Sequence, residues 1–411
     1  MIFFGNLRGS ATPWLLLPAL IYMVMFVSGG NAVSGYGISS GELSSWAIVV
    51  IAPAVAGAAA WESGRQRQLG ALRTVATRRI FSQIVRALAP VLVLQVLLVV
   101  GALIVARSAT GVWPSPDLPG LLPIAHLLVL PCGWMVVGWA LGQLLPRAIA
   151  APVASVLCWI LLAMTQAMQV PFWRHLGGFI SESSSLTDVL VPNVYWVPWL
   201  VSLGLACAAA LLLQARRRPW ILAVSVAMVV CTFILGRVLV VNWGYSPPTV
   251  ARTGHTTCVG SSPALCLPDE FAGQAVAIRE DVLPAVRSLH KAGLPEPAML
   301  RMASDRQPLK PGVWPLNWDS RWSPQNIEST VADSAVAGTA ALVGVRDCRQ
   351  PSIQEAWALA TVGVPQKDVR AALTDSEWKA LQSVLATSPA DQVQWFTQHV
   401  QSQDYCRSVM W

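Results

Sequence analysis

Four cysteines, Cys258, Cys266, Cys348 and Cys406, all fall within residues 243–411 of this 411-residue chain. In an exported domain, four cysteines read as two disulfides, and three pairings exist. The short Val-Gly-Ser-Ser-Pro-Ala-Leu loop favours Cys258–Cys266, which leaves Cys348–Cys406 to tie the end of the domain to its middle. Free thiols are the alternative. A zinc site has no ligand spacing to support it. There is no CxxC or HxxxH, and His255, His290 and His399 are scattered. Residues 243–411 contain neither HExxH nor GxSxG, so no metal-peptidase or serine-hydrolase signature appears there. No catalytic residues are expected, and no enzyme activity.

The second chemistry-bearing cluster runs from Glu62 to Arg86, ESGRQRQLGALRTVATRRIFSQIVR. Leu69, Leu72, Val75 or Ala76, Ile80 and Ile84 recur at helical spacing with arginines between them. A helix of this kind lies in the inner membrane interface or docks on a cytoplasmic partner. The bland alternative is that the arginines only hold the segment on one side of a bilayer.

These clusters are positioned by a chain of unusual composition. Only 12% of residues are charged and 54% are apolar, where a soluble chain carries about 25% charge. Residues 1–242 hold five acids, fourteen arginines and no lysine, for a net +9; residues 243–411 hold sixteen acids and fourteen bases, for −2. The basic excess therefore sits in loops between apolar runs, which argues for membrane orientation and against nucleic acid as a partner.

Seven stretches approach the roughly 20 apolar residues that cross a bilayer: about 13–29, 44–61, 87–106, 121–145, 148–169, 194–214 and 220–242. With the N-terminus inside, the inner segments hold eleven arginines and the outer short loops only Arg107 and Arg174. Seven spans then place residues 243–411 outside. A cleaved signal peptide over residues 1–30 is the alternative for the first stretch, and leaves six. The expected fold is an all-α polytopic membrane protein, multi-pass in the cell membrane, with a mainly helical, disulfide-containing extracytoplasmic domain.

Within the spans, Cys132, Cys158, Cys207 and Cys231 read as small packing residues. Gly138-x-x-x-Gly142 permits close helix approach. Pro53, Pro90 and Pro131 are candidate kinks. Gln95, His126, Gln166 and Arg237 are the polar candidates, with His126 and Arg237 near outer ends, and no acid is expected at mid-bilayer. Absence of an acidic relay argues against a proton- or sodium-coupled carrier.

In residues 243–411, a helix is expected from Pro268 through Leu289, capped by Asp269 or a neighbour and ended by Gly293. Residues 296–325, with Trp314, Trp318 and Trp322 among prolines, read as a loop. The Ala335–Val345 run is a strand or a buried helix. Three helices are expected over 352–362, 365–386 (broken near an N-cap at Thr374) and 388–403, with Ser388 capping the last.

Several stretches carry a likeness. Ala60-Trp61-Glu62, then Leu72-Arg73-Thr74 and Arg78-Arg79, then Ala87-Leu88-Ala89-Pro90, resemble the membrane subunits of type-2 ABC exporters, in particular permease-like proteins of high-GC Gram-positive bacteria. The run from Leu141 to Pro152 is similar to their link between the fourth and fifth spans. The likeness covers roughly residues 10–215. It implies a permease with no cofactor of its own, working as a homodimer or heterodimer, with ATP bound by a separate cytoplasmic ABC ATPase. No GxxxxGK[ST] occurs in the chain. It also implies that Glu62, Arg65, Arg67, Arg73, Arg78 and Arg79 form the segment that couples to that ATPase. The family commonly has six spans with both ends inside, so the seventh span and the cysteine-bearing domain are additions. The CVGSSPALCLPDE stretch resembles the C-terminal part of a subset of actinobacterial permease-like proteins. A permease-derived binding, sensing or immunity protein is the alternative function.

Overall fold

A computed structural model of the chain describes residues 10–30, 32–68, 80–181, 184–215, 218–254, 256–302, 309–316, 324–343 and 353–402. The chain forms two compact units. The first comprises Met1–Ser185 and Val189–Val250, and the second Leu186–Asp188 and Ala251–Trp411. The division thus comes after Val250, beyond the composition change at 242/243, and the second unit also takes in a three-residue segment from the first half.

The first unit is helical because its sequence offers long apolar runs of Leu, Val, Ala and Ile with few interruptions. In chain order its helices are α1 (Thr12–Ser28), α2 (Gly37–Ser45), α3 (Ile48–Gln68), α4 (Ile80–Thr110), α5 (Leu118–Leu144), α6 (Arg147–Ala163, continued by a 3₁₀ turn over Met164–Ala167), α7 (Pro171–Gly177), α8 (Asn193–Ala215) and α9 (Trp220–Val240). Within α4, α5, α6 with its 3₁₀ turn, α8 and α9 lie five segments long and apolar enough to cross a membrane, and six result if α2 and α3 count as one broken span. The α2–α3 pair bends by 41° at Trp46–Ala47. At 17 residues, α1 is apolar but short.

Helix α3 is the centre of this unit. From Ile48 to Ala60 every residue but Ala54 is buried. It packs along α5 and α6, while α8 packs against α5 and α9. Outward faces carry large apolar side chains, such as Ile104 on α4, Val156 on α6 and Val238 on α9. Cys132, Cys207 and Cys231 also lie exposed on outward faces, which corrects their reading as packing residues; Cys158 alone of the four is buried.

The second unit is mainly helical, with short strands besides. It contains a four-stranded sheet of β3 (Thr256–Val259), β4 (Ala264–Pro268), β5 (Met299–Arg301) and β6 (Val313–Pro315), in that spatial order. β3 and β4 form an antiparallel hairpin; β4–β5 and β5–β6 are parallel. A further two-stranded ladder, β1 (Asp188–Leu190) with β2 (Thr249–Ala251), lies where the chain passes between units. Leu265, Leu300 and Trp314 stand in one cross-strand row and are buried. Helix α10 (Ala275–Lys291) packs on β3 and β4 and buries Ile278, Val282, Val286 and Leu289, a helical stripe. Helix α11 (Pro324–Leu342) packs on β6, and Gly338 makes room there for the Trp314 ring.

The remaining helices are α12 (Ile353–Val362), α13 (Gln366–Ala371), α14 (Asp375–Leu385) and α15 (Pro389–Ser402). Trp357 of α12 lies 4.6 Å from the Phe396 ring of α15 and donates its indole N–H to Gln392 at 3.0 Å. The expected loop over 296–325 therefore holds two strands and the start of a helix, and the Ala335–Val345 run is helical through Leu342. Asp269 opens a 3₁₀ turn instead of capping α10, and its carboxylate accepts from the Thr257 hydroxyl at 2.7 Å.

Candidate functional site

The residues assigned to coupling begin on the last two turns of α3. Glu62 is fully buried. Its Oε1 accepts from the Ala11 backbone N–H at 3.3 Å, just before α1. Its Oε2 lies 2.7 Å from an Arg65 guanidinium nitrogen, an ion pair without hydrogen-bond alignment. Removing Arg65 would leave an uncompensated carboxylate in a dry place, which is costly. Glu62 is thus taken up inside the unit and cannot itself touch a partner. Arg67 is exposed and donates to the Gln143 carbonyl at 3.0 Å. Arg73, Arg78 and Arg79 lie outside the described residues.

Around Glu62 the ends of three helices are stitched together. Gln143 of α5 donates to the Ser63 carbonyl and hydroxyl oxygens at 3.2 and 2.8 Å. The Ser63 hydroxyl donates to the Trp139 carbonyl at 2.6 Å. Arg147, at the start of α6, stacks its guanidinium over Trp61 at 5.0 Å. Gly64 lies against Arg147, where a Cβ would come within 2.6 Å of the arginine's own Cβ. This end of α3 is thus in contact with α5, the start of α6 and the residue before α1.

The glycines of α5 explain how the helices approach. A Cβ on Gly138 would collide with the Ala56 carbonyl of α3, and one on Gly142 with the Ala60 carbonyl. Ala56-x-x-x-Ala60 thus faces Gly138-x-x-x-Gly142 along the crossing, a small-residue contact of the kind that holds membrane helices together.

Of the polar candidates, Gln95, Gln166 and His126 are hydrogen-bonded and Arg237 stacks on a ring. Gln95 donates to the Leu127 and Leu128 carbonyls at 3.2 and 2.8 Å. Gln166 donates to the Arg174 and Phe179 carbonyls at 3.1 and 2.5 Å. Arg237 stacks over Phe172 at 5.2 Å. His126 is fully buried. It receives the Trp199 indole N–H on Nδ1 at 2.8 Å, and its Nε2 lies 2.7 Å from the Gly178 carbonyl. Gly178, at φ +97°, terminates α7 in the left-handed region that favours glycine.

Sequence reasoning missed Glu42. It lies buried on α2, a helix that precedes the apolar stretch expected from about residue 44. Ser184 donates both its N–H, at 2.7 Å, and its hydroxyl to this carboxylate. The serine-rich run of α2 hid it, since nothing there resembles an apolar span. The same run contains Gly37-Ile38-Ser39-Ser40-Gly41, the spacing of a serine-nucleophile elbow. Ser39 is instead buried inside a helix and accepts from the Val33 N–H at 2.9 Å. The strand-turn-helix context that exposes such a nucleophile is absent at this position.

Of the four cysteines in the second unit, Cys258 and Cys266 form a disulfide across the β3–β4 hairpin. Cys348 and Cys406 lie outside the described residues. Residues 265–406, about a third of the chain, match the domain of unknown function DUF7224. The match starts on β4, so it includes Cys266 but not its partner Cys258. No curated protein and no solved structure matches the chain.

Proposed function

We propose that the chain is the membrane-spanning subunit of an ATP-driven exporter of the type-2 ABC class, with ATP hydrolysed on a separate cytoplasmic subunit. The observation that carries this reading is the basic end of α3. It opens the arginine-rich segment that resembles the family's coupling region, and its own contacts knit it to α1, α5 and α6. A push received there would be shared among four helices. The proposed topology has seven crossings, by α1, the α2–α3 pair, α4, α5, α6, α8 and α9, with the N-terminus inside. Arginine placement supports that orientation. The Cys258–Cys266 disulfide supports an oxidising, extracytoplasmic setting for the second unit. A dimer, with itself or with a second permease, completes the proposal.

The test is co-purification of an ATPase with the full chain in mild detergent, compared with a variant carrying Arg73→Gln, Arg78→Gln and Arg79→Gln. Loss of the ATPase from the variant is expected. Equal recovery from both removes the coupling assignment, and no ATPase with either removes the exporter reading.

A second reading is favoured by the separate compactness of the second unit. In it, the helices anchor a permease-derived binding, sensing or immunity protein that works through residues 251–411.

A further inference from the structure

The four-stranded sheet of the second unit carries its disulfide at one side. β3 is an edge strand, and among the described residues β4 is the one strand paired with it. β4 itself is interior, with β5 on its other flank. The register sets Cys258 opposite Cys266, and Cys266 opposite Arg301. Register partners share a face of the sheet, so these three side chains stand in one row. Burial follows the same order: Cys258 is exposed, whereas Cys266 is only 3% exposed. Both cysteines border a cavity of about 390 Å³, and every residue described as lining it belongs to the second unit. That volume falls in the range of small-molecule sites, about 300–1,000 Å³.

We infer that the Cys258–Cys266 disulfide is a thiol-exchange site, opened by a low-molecular-weight thiol that attacks the sulfur of Cys258. Exchange proceeds by attack of a thiolate on one of the two sulfurs, and access decides which. The nucleophile must arrive in line with the bond that breaks. Here that bond bridges β3 and β4. The line to the Cys258 sulfur therefore comes from beyond β3, at the edge of the sheet. The line to the Cys266 sulfur comes from the β5 side, where Arg301 is the next residue in the row. In the step itself, the incoming sulfur bonds to Sγ of Cys258. The S–S electron pair leaves with Sγ of Cys266, which then takes up a proton. The products are a mixed disulfide on Cys258 and a free thiol at Cys266, with no net oxidation or reduction. A second thiol attacking the mixed disulfide would release the small molecule as its own disulfide and leave the hairpin reduced. The cavity beside the pair gives a small thiol room to enter. The inference concerns the second unit alone and is independent of the exporter reading.

Sulfite is the first probe, because it attacks a disulfide as a thiolate does and marks the sulfur it strikes as an S-sulfonate. The full chain in mild detergent is treated with excess sulfite at neutral pH and quenched with acid. Freed thiols are then alkylated, and the modified sites are located by peptide mapping. The S-sulfonate is expected on Cys258 and the alkyl group on Cys266, with a preference of at least about tenfold set by access. In denaturant the preference should disappear, because the sheet no longer shields Cys266. Glutathione in place of sulfite should leave its mixed disulfide on Cys258 of the native chain. Modification of Cys266, an even split in the native chain, or the same preference in denaturant overturns the inference. So does failure of either reagent to react before denaturant is added.

Discussion

The indole N–H of Trp199 points at Nδ1 of His126 from 2.8 Å, and this contact fixes where the imidazole keeps its proton. An indole only donates, so Nδ1 accepts and Nε2 carries the hydrogen, which goes to the Gly178 carbonyl at 2.7 Å. Both ring nitrogens are used, which makes His126 a tie between α5, α8 and the end of α7. Nitrogen NMR on histidine-labelled protein should therefore find the Nε2–H tautomer at this residue. An Nδ1–H signal would contradict the arrangement. His126→Ala removes two interhelical bonds of roughly 0.6–2 kcal/mol each, so a loss of about 2–3 kcal/mol is expected in detergent unfolding.

Close approach of α3 and α5 makes a second prediction. Gly142→Ala forces a methyl group into the Ala60 carbonyl. Overpacking of this kind costs about 1–3 kcal/mol, read as a lowered midpoint of thermal unfolding. Val136→Ala, on an exposed face of the same helix, should move the midpoint much less. Equal effects would show that the crossing is not tight.

The hairpin disulfide provides a third. Cys258 and Cys266 are eight residues apart, and closing so short a loop stabilises by about 2–3 kcal/mol on the chain-entropy estimate. Replacing both cysteines by serine should lower the denaturant midpoint of the second unit accordingly. Non-reducing peptide mapping of wild type should recover the 258–266 pair, and will also show whether Cys348 is joined to Cys406. Recovery of Cys258 as a free thiol would refute the pairing.

A fourth concerns pH. Thr374 and Glu377 form a reciprocal capping box at the start of α14. The Thr374 hydroxyl and backbone N–H both donate to the Glu377 carboxylate, at 2.6 and 2.8 Å, and hold its pKa below the ordinary glutamate value. The folded state therefore favours the ionised form. Its contribution is complete above the unfolded pKa and fades as pH falls through the lower folded one. Glu377→Ala should destabilise at pH 7, and the gap from wild type should narrow as pH falls below the ordinary glutamate pKa of about 4.3. A gap that stays constant over this range would refute the assignment.

What could be read beforehand follows from physical length scales. The helices α4, α5, α6, α8 and α9 each present some 20 apolar residues in a row, so composition alone reveals them. The Thr374 cap carries its own local spelling, Thr-x-x-Glu. Strands of three to five residues, such as Met299–Arg301 and Val313–Pro315, are too short to show an alternation. Helix α2 was illegible for a different reason. Its serines spend their hydroxyls on backbone carbonyls, as Ser40 does on Val112 at 2.9 Å and Ser44 on Gly41 at 2.6 Å, and only the folded chain supplies the first of those acceptors. The arginine cluster was visible, but the hydrogen bond that buried Glu62 accepts comes from Ala11, fifty-one positions away.

Because α3 is enclosed by its neighbours along most of its length, its alanines obey two masters. Ala56→Leu would make the segment greasier and ease its partition from the translocon into lipid. The same side chain would wedge α5 away and spoil assembly. At this one helix, membrane insertion and folding respond to hydropathy with opposite sign.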